Sequence, residues 1–341
     1  MTADPTTTTI FKVRHVTTYR YRRPVGFGEH RMMFRPRDSY DQRLLASSLR
    51  ITPRPASLRW VHDPFGNCVA LARFEEDAEE LTFESGIEVK HYPDPLDFQA
   101  EDWAQTYPFS YDPEEYPDLL PFITRQHVDP TGEVARWAQR FLRQGHPTPT
   151  GNLLMTLGSA IGESFAYNRR TEHGTQDPLT TLRLRRGTCR DFALFMMEAM
   201  RALGLAARFV SGYLYVPSRD GPQRLGGGAT HAWCQVYVPG AGWIEFDPTN
   251  GIVGNRDLVR VAVARTPAQA VPLSGTYRGG CDDSLGMTVE VQVTSHDDTS
   301  HDDTSHDDTS HDATSGDPTS HPEASESRAT DRTGPRACAG A

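Results

Sequence analysis

The sequence predicts an α+β protein: a small β-rich module, a core of helices followed by strands, and a tail without a core. Three observations lead there. Short alternating runs fill the first ninety residues, apolar spacing turns helical between positions 129 and 204, and strand-like runs return after position 207. The corresponding division is 1–95 for the β module, 96–293 for the core with its connector and C-terminal strands, and 294–341 for the tail.

The N-terminal run IFKVRHVTTYRYRRPV (10–25) alternates and is rich in Val, Thr and Tyr, which favour strands. LLASSLRITPRP (44–55), LRWVHD (58–63), CVALARF (68–74) and LTFESGIEVKHY (81–92) continue the pattern. DPFGN (63–67) between two of them is a turn signal, with Pro64 and Gly66 in turn positions. Short strands at this spacing suggest a β-sandwich-like module. Residues 91–129 hold many Pro, Tyr and Asp without a sustained period and read as an irregular connector.

Three helices are expected next. The first begins near Asp129, with Thr131 as a cap and Val134, Trp137, Ala138 and Phe141 on one face. The second covers 151–165, with Leu154, Leu157, Ile161 and Phe165 aligned. The third follows Cys189, with Phe192, Phe195, Met196, Ala199, Met200 and Leu203 as its stripe and Gly204 as its stop. Strands follow at 207–216, 231–238 and 242–247, with two more in VRVAVAR and GMTVEVQV.

The tail changes the charge balance. Net charge is −10, yet from Asp282 onward there are 14 acidic and 3 basic residues, which leaves the rest nearly neutral. Nothing resembles the basic stripe of a nucleic-acid binder. SHDDT recurs three times within 295–309, a segment almost without aliphatic residues. It cannot bury enough apolar surface to offset its ordering entropy and is expected to be disordered.

Five cysteines at wide spacings, with no CxxC pair, argue against a disulfide framework and a zinc site. The opening MTADPTTTTIFKV lacks a basic region followed by an apolar run, and no stretch reaches the roughly 18 apolar residues of a membrane helix. The expectation is a cytoplasmic protein with reduced thiols, no metal, no cofactor and no membrane or nucleic-acid partner.

Cys189 stands between Gly-Thr and a helix start in RGTCRDF (186–192). A helix N-terminus presents unpaired N–H groups and a positive dipole end, which stabilise a thiolate. Gly187 lets the backbone before it turn tightly. A nucleophilic thiol also needs a base, and the base an orienting group. THAWCQVYVPGAGWIEFDPTNG (230–251) offers both, His231 opening one strand and Asp247 closing the next across a short PGAG link. A two-residue loop sets His231 opposite Pro248 and a four-residue loop sets it opposite Asn250. Either register leaves Asp247 within a few positions of His231. Cys234, three residues from His231, takes the opposite strand face and reads as core. Arg185 and Arg186 read as solvated loop.

GTCRDFALFMMEAMRALGLAARFVSGY followed by THAWCQVYVPGAGWIEFDPTNG resembles the core of the transglutaminase-like superfamily, in which Cys, His and Asp occur in this order. HVTTYRYRRPV through DPFGN resembles the β-rich module that precedes this core in bacterial members, and VAVARTPAQAVPLSGTYRGG resembles their C-terminal segment. The resemblance implies a papain-like cysteine-protease/transglutaminase core in which Cys189 is the nucleophile, His231 the base and later the acid, and Asp247 the orienting carboxylate. It implies a protein or peptide substrate attacked at an amide through a thioester. Water as acceptor makes an amidase or protease, an amine makes a transglutaminase, and the resemblance favours water. The Cys189 backbone N–H is one expected oxyanion donor; the second is expected upstream, at Tyr167 or Asn168.

Overall fold

The computed structural model describes residues 8–93, 99–168, 170, 174–217, 228–297 and 339–340. The N-terminal strands are β1 (Thr9–Phe27), β2 (His30–Met32), β3 (Gln42–Thr52), β4 (Ser57–His62), β5 (Cys68–Arg73) and β6 (Ala78–His91). The DPFGN turn between β4 and β5 forms because the Asp63 carboxylate accepts from the Phe65 and Asn67 backbone N–H groups, both at 2.9 Å.

The helices are α1 (Tyr116–Ile123), α2 (Glu133–Gln139), α3 (Thr150–Ser164), α4 (Pro178–Leu184) and α5 (Cys189–Ala202). The connector is thus less irregular than its composition suggests: α1 lies inside it. Pro117 starts that helix with a preset φ and no N–H to satisfy, and eight residues are too few to display a period. The start of α2 is held by Asp129 rather than Thr131. Its carboxylate accepts from the Glu133 and Ala135 N–H groups at 2.9 and 3.2 Å, while the Thr131 hydroxyl donates to Glu133.

The core sheet is antiparallel, in the order β10-β9-β8-β7-β11, where β7 is Ala207–Leu214, β8 His231–Val238, β9 Gly242–Asp247, β10 Ile252–Val253 and β11 Leu258–Ala264. Helix α5 lies across β8 and β7. Its whole expected stripe is buried, and so are Asp191, Glu198 and Arg201 on its other faces. It is a central helix, enclosed by α2, α3 and α4 on one side and the sheet on the other. This is the expected α+β, papain-like arrangement of a helix start against a sheet.

The C-terminal strands depart from expectation. β12 (Leu273–Arg278) and β13 (Ser284–Asp297) do not join the core sheet but complete the N-terminal one. β13 runs antiparallel along β1 from Tyr21↔Ser284 to Thr9↔Asp297, on the edge opposite β6. The 19-residue β1 has two edges to fill, and Val291 and Val293 of β13 pack with Phe11, Val13, Ile87 and Val89. The first residues assigned to the tail, 294–297, therefore belong to a strand; the remaining SHDDT repeats lie outside the described residues. β12 joins β1 to β2, and Tyr21, Phe27, Met32, Ala72, Phe83 and Tyr277 close one core between the two halves of this module, as a sandwich does. No helix among the described residues is long and apolar enough to cross a membrane.

The module docks on the core through the Phe11–Val89 cluster, which meets Tyr213, Val259 and Val261 of the core sheet. His15 sits in that seam, bonded to the Tyr213 hydroxyl at 2.9 Å and Thr17 at 3.0 Å. Burial lowers its pKa to about 4. The unfolded chain, with a His pKa near 6.5, therefore binds more protons between those values, and stability falls as pH drops through that window. The expected loss is up to about 3 kcal/mol, at 1.36 kcal/mol per unit. Urea denaturation at pH 7 and pH 4.5 measures it, and His15→Gln should flatten the difference by most of that amount.

Candidate active site

The segment Arg186-Gly187-Thr188 leads into α5 through a capping box. The Thr188 backbone N–H and hydroxyl both donate to Asp191 Oδ2, at 2.8 and 2.9 Å, and Asp191 N–H returns to the Thr188 hydroxyl at 3.4 Å. The Asp191 carboxylate also takes Arg170 Nε at 2.9 Å and the Gln176 N–H at 2.6 Å, tying the upstream loop to the helix start. Gly187 serves this box. A Cβ there would sit 2.8 Å from Asp191 Cβ, so it admits the capping carboxylate. Asp191 was missed as a site residue, although Thr-x-x-Asp at the head of an apolar stripe is the sequence signature of such a cap.

Cys189 is the first residue of α5 and is 7% exposed. Facing it is the β8–β9 hairpin. Val238 pairs with Gly242, so the connection holds three residues and the register falls midway between the two expected ones. With that register, His231 and Asp247 share a sheet face. His231 Nε2 lies 2.8 Å from Asp247 Oδ2, and both side chains are fully buried. That contact leaves Nδ1 for the thiol. Among the described residues Nδ1 has no hydrogen-bond partner, yet the charges of Cys189 and His231 shift each other's titration.

Asp247 is itself held in place. Its Oδ1 accepts from the Thr249 N–H at 2.9 Å and its Oδ2 from Asn250 Nδ2 at 2.8 Å. The turn carrying them is backed by α3, where a Cβ on Gly162 would lie 3.0 Å from the Pro248 carbonyl. The indole of Trp233 stacks on the His231 ring, centroids 6.1 Å apart.

The electrostatics are those of an ion pair. Burial pushes the Cys189 thiol up, but the charge and hydrogen bonding of His231, with Arg190 adding to them, bring it below its ordinary value. Burial pushes His231 down, and Asp247 and Cys189 reverse this and raise it well above an ordinary imidazole. Burial likewise opposes ionisation of Asp247, and His231 overcomes it, keeping the carboxylate charged. Cys234 behaves differently. Burial lifts its thiol far up, and its Sγ faces the Phe246 carbonyl at 3.6 Å, as a core cysteine should.

Of the two upstream oxyanion donors expected, the Asn168 backbone N–H is already committed, donating to the Gly187 carbonyl at 2.8 Å. Arg185 and Arg186 are exposed, as expected of solvated loop. Trp243 is packed between Phe122 and the Arg208 guanidinium, the latter 4.1 Å from its ring centre.

Comparison with known proteins places this arrangement. Residues 11–90 match the bacterial transglutaminase-like N-terminal region and residues 136–248 the transglutaminase-like superfamily. An uncharacterized protein of Mycobacterium tuberculosis is 31% identical over 284 residues, which cover 81% of this chain and 90% of that one. This chain belongs to the bacterial transglutaminase-like family. A protein-glutamine gamma-glutamyltransferase of Pseudomonas aeruginosa is 29% identical over 124 residues, 34% of this chain and 18% of that one. Among solved structures, a candidate cysteine protease from Cytophaga hutchinsonii superposes with a TM-score of 0.62 at 20% identity, over 86% of this chain and 92% of that one. The shared fold is that of transglutaminase-like thiol enzymes, and the β module and the core are both part of it.

Proposed function

We propose that this transglutaminase-like protein is a thiol enzyme that opens amide bonds of proteins or peptides through a thioester on Cys189, with His231 as base and acid and Asp247 as its orienting partner. The observation that carries the reading is the buried line from the thiol through the imidazole to the carboxylate, with 2.8 Å between His231 Nε2 and Asp247 Oδ2. The thiolate adds to the carbonyl carbon and forms the C–S bond. The oxyanion meets the Cys189 N–H at the helix start, where backbone donors lack intrahelical acceptors. The imidazolium passes its proton from Nδ1 to the leaving nitrogen as the C–N bond breaks. Water, deprotonated by the same nitrogen, then releases the acid and restores the thiolate.

Water needs no binding site of its own, which favours hydrolysis as the ordinary outcome. The similarity to a protein-glutamine gamma-glutamyltransferase supports a second reading, in which an amine resolves the thioester. The test is a glutamine-rich protein substrate with and without a labelled primary amine, followed by hydroxylamine trapping of the thioester. The expected result is trappable acyl-enzyme, absent in Cys189→Ala, with free acid as the main product. Retained turnover in Cys189→Ala overturns the reading; incorporation of the amine in place of acid release selects the second one.

A further inference from the structure

The N-terminal module shares a cavity with residues that adjoin the candidate site in sequence. His15, Thr17 and Tyr19, alternate residues on one face of β1, together with Val289 of β13, form a wall of a cavity of about 360 Å³. Across it stand Arg190 and Thr230, the sequence neighbours of Cys189 and His231. Pro267 and Leu273 add an apolar side. The cavity is thus built jointly by the module and the thiol-bearing core.

Its charge is set by one group. His15 lines the cavity but is held neutral at pH 7, its pKa near 4. Arg170 also lines it, but its charge is matched by Asp191, with Nε 2.9 Å from Oδ2 and Nη2 3.1 Å from Oδ1. Arg190 is different. It is half-buried, and no carboxylate among the described residues lies within ion-pair distance of it. Its guanidinium lies over the Phe209 ring, 5.5 Å from the centroid. The negative charges it senses are Cys189 first and Asp191 next. Asp191 is already occupied by Arg170, Gln176 and Thr188. The thiolate charge vanishes once Cys189 is acylated. The half-buried guanidinium then keeps only the Asp191 charge, which Arg170 already engages, and a substrate carboxylate would supply the missing partner through paired, charge-assisted hydrogen bonds.

We infer that this cavity holds the acyl half of the substrate, and that Arg190 selects an acyl group carrying its own free carboxylate, with the aliphatic remainder against Pro267, Leu273 and Val289. The inference deepens the proposed amide chemistry, and its test separates the two. Cys189 is alkylated at pH 6 with iodoacetate, which carries a carboxylate, and with iodoacetamide, which does not. The ratio of the two rates cancels any change in thiolate fraction. We expect the ratio to exceed that of a free thiol at least tenfold, to fall at least tenfold in Arg190→Gln, and to be largely kept in Arg190→Lys. Val289→Glu, which sets a carboxylate in the module's wall, should also lower it. A ratio that moves less than twofold in Arg190→Gln overturns the inference. If Cys189 reacts with both reagents no faster than a free thiol, the nucleophile reading fails, and the pocket is judged by binding. In the Cys189→Ala protein, N-acetyl-leucine should bind at least tenfold more tightly than its amide, by calorimetry, and lose that preference when Arg190→Gln is added. Equal binding of acid and amide overturns the pocket inference on its own.

Discussion

Replacing His231 with alanine is expected to erase the reactivity of Cys189 on the acid side of neutrality. In the intact protein, the thiolate is present above the lowered pKa of Cys189 and is lost as pH falls through it. The imidazolium is present below the raised pKa of His231 and is lost as pH rises through it. The reactive ion pair therefore occupies the window between them, whose lower edge lies under the roughly 8.5 of a free thiol. Removing His231 leaves burial as the dominant influence on the thiol and moves its pKa up. Each unit of that shift is worth tenfold in thiolate at a fixed acidic pH, so alkylation by iodoacetamide at pH 6 should slow by about 100-fold or more. Asp247→Asn is expected to be milder toward alkylation and severe toward turnover, about 10²–10⁴-fold, because it disturbs the tautomer and orientation of the ring. An alkylation profile unchanged by His231→Ala would mean that thiol and ring do not form a pair in solution.

What the sequence disclosed divides along a physical line. Local periodicity made α3 and α5 legible almost to the residue, since Leu154, Leu157 and Ile161 and the Phe192–Met200 stripe repeat at helical spacing and are buried. Strand alternation located β1, β3, β5 and β6 for the same reason. The site was legible because a thiol at a helix start and a histidine and aspartate at hairpin ends have local signatures of their own. The hairpin register was not, because PGAG permits several loop lengths; the three-residue connection reflects left-handed backbone at Gly240 and Gly242. Long-range pairing was not legible either. β13 joins β1 across more than 260 residues of chain, and nothing in GMTVEVQV states which of two sheets it will complete. α1 was hidden by its two prolines, which usually mark loops and here sit at a helix start and within a single short helix. The cavity at Arg190 depends on that unread pairing, since Val289 reaches it only through β13.

Arg201→Ala is expected to cost about 4 kcal/mol of stability, more than any exposed substitution. Arg201 lies at the far end of α5 from Cys189 and is 3% exposed. Its Nη1 donates to Glu198 Oε1 at 2.9 Å, its Nε to the Phe122 carbonyl at 2.8 Å, and its Nη2 to the Ala207 and Arg265 carbonyls at 2.8 Å. One guanidinium thus joins the central helix to the end of α1, the start of β7 and the end of β11. Glu198, fully buried, also accepts from the Gln126 and His127 N–H groups at 3.2 and 3.4 Å. Truncating Arg201 leaves that carboxylate, among the described residues, with the partly exposed Arg125 at 3.6 Å as its one cation and removes the guanidinium donor from three carbonyls. Breaking a buried pair on one side costs about 3–5 kcal/mol, whereas replacing both partners by apolar groups of similar volume is often near neutral. The double variant Glu198→Leu/Arg201→Met should therefore recover a good part of the loss. Chemical denaturation checks both, and a loss below about 1 kcal/mol in Arg201→Ala would mean that water replaces the network at little cost. Iodoacetamide reactivity of Cys189 at low temperature separates stability from chemistry: the capping box at Thr188 and Asp191 fixes the helix start independently, so a folded Arg201→Ala protein should keep its reactive thiol.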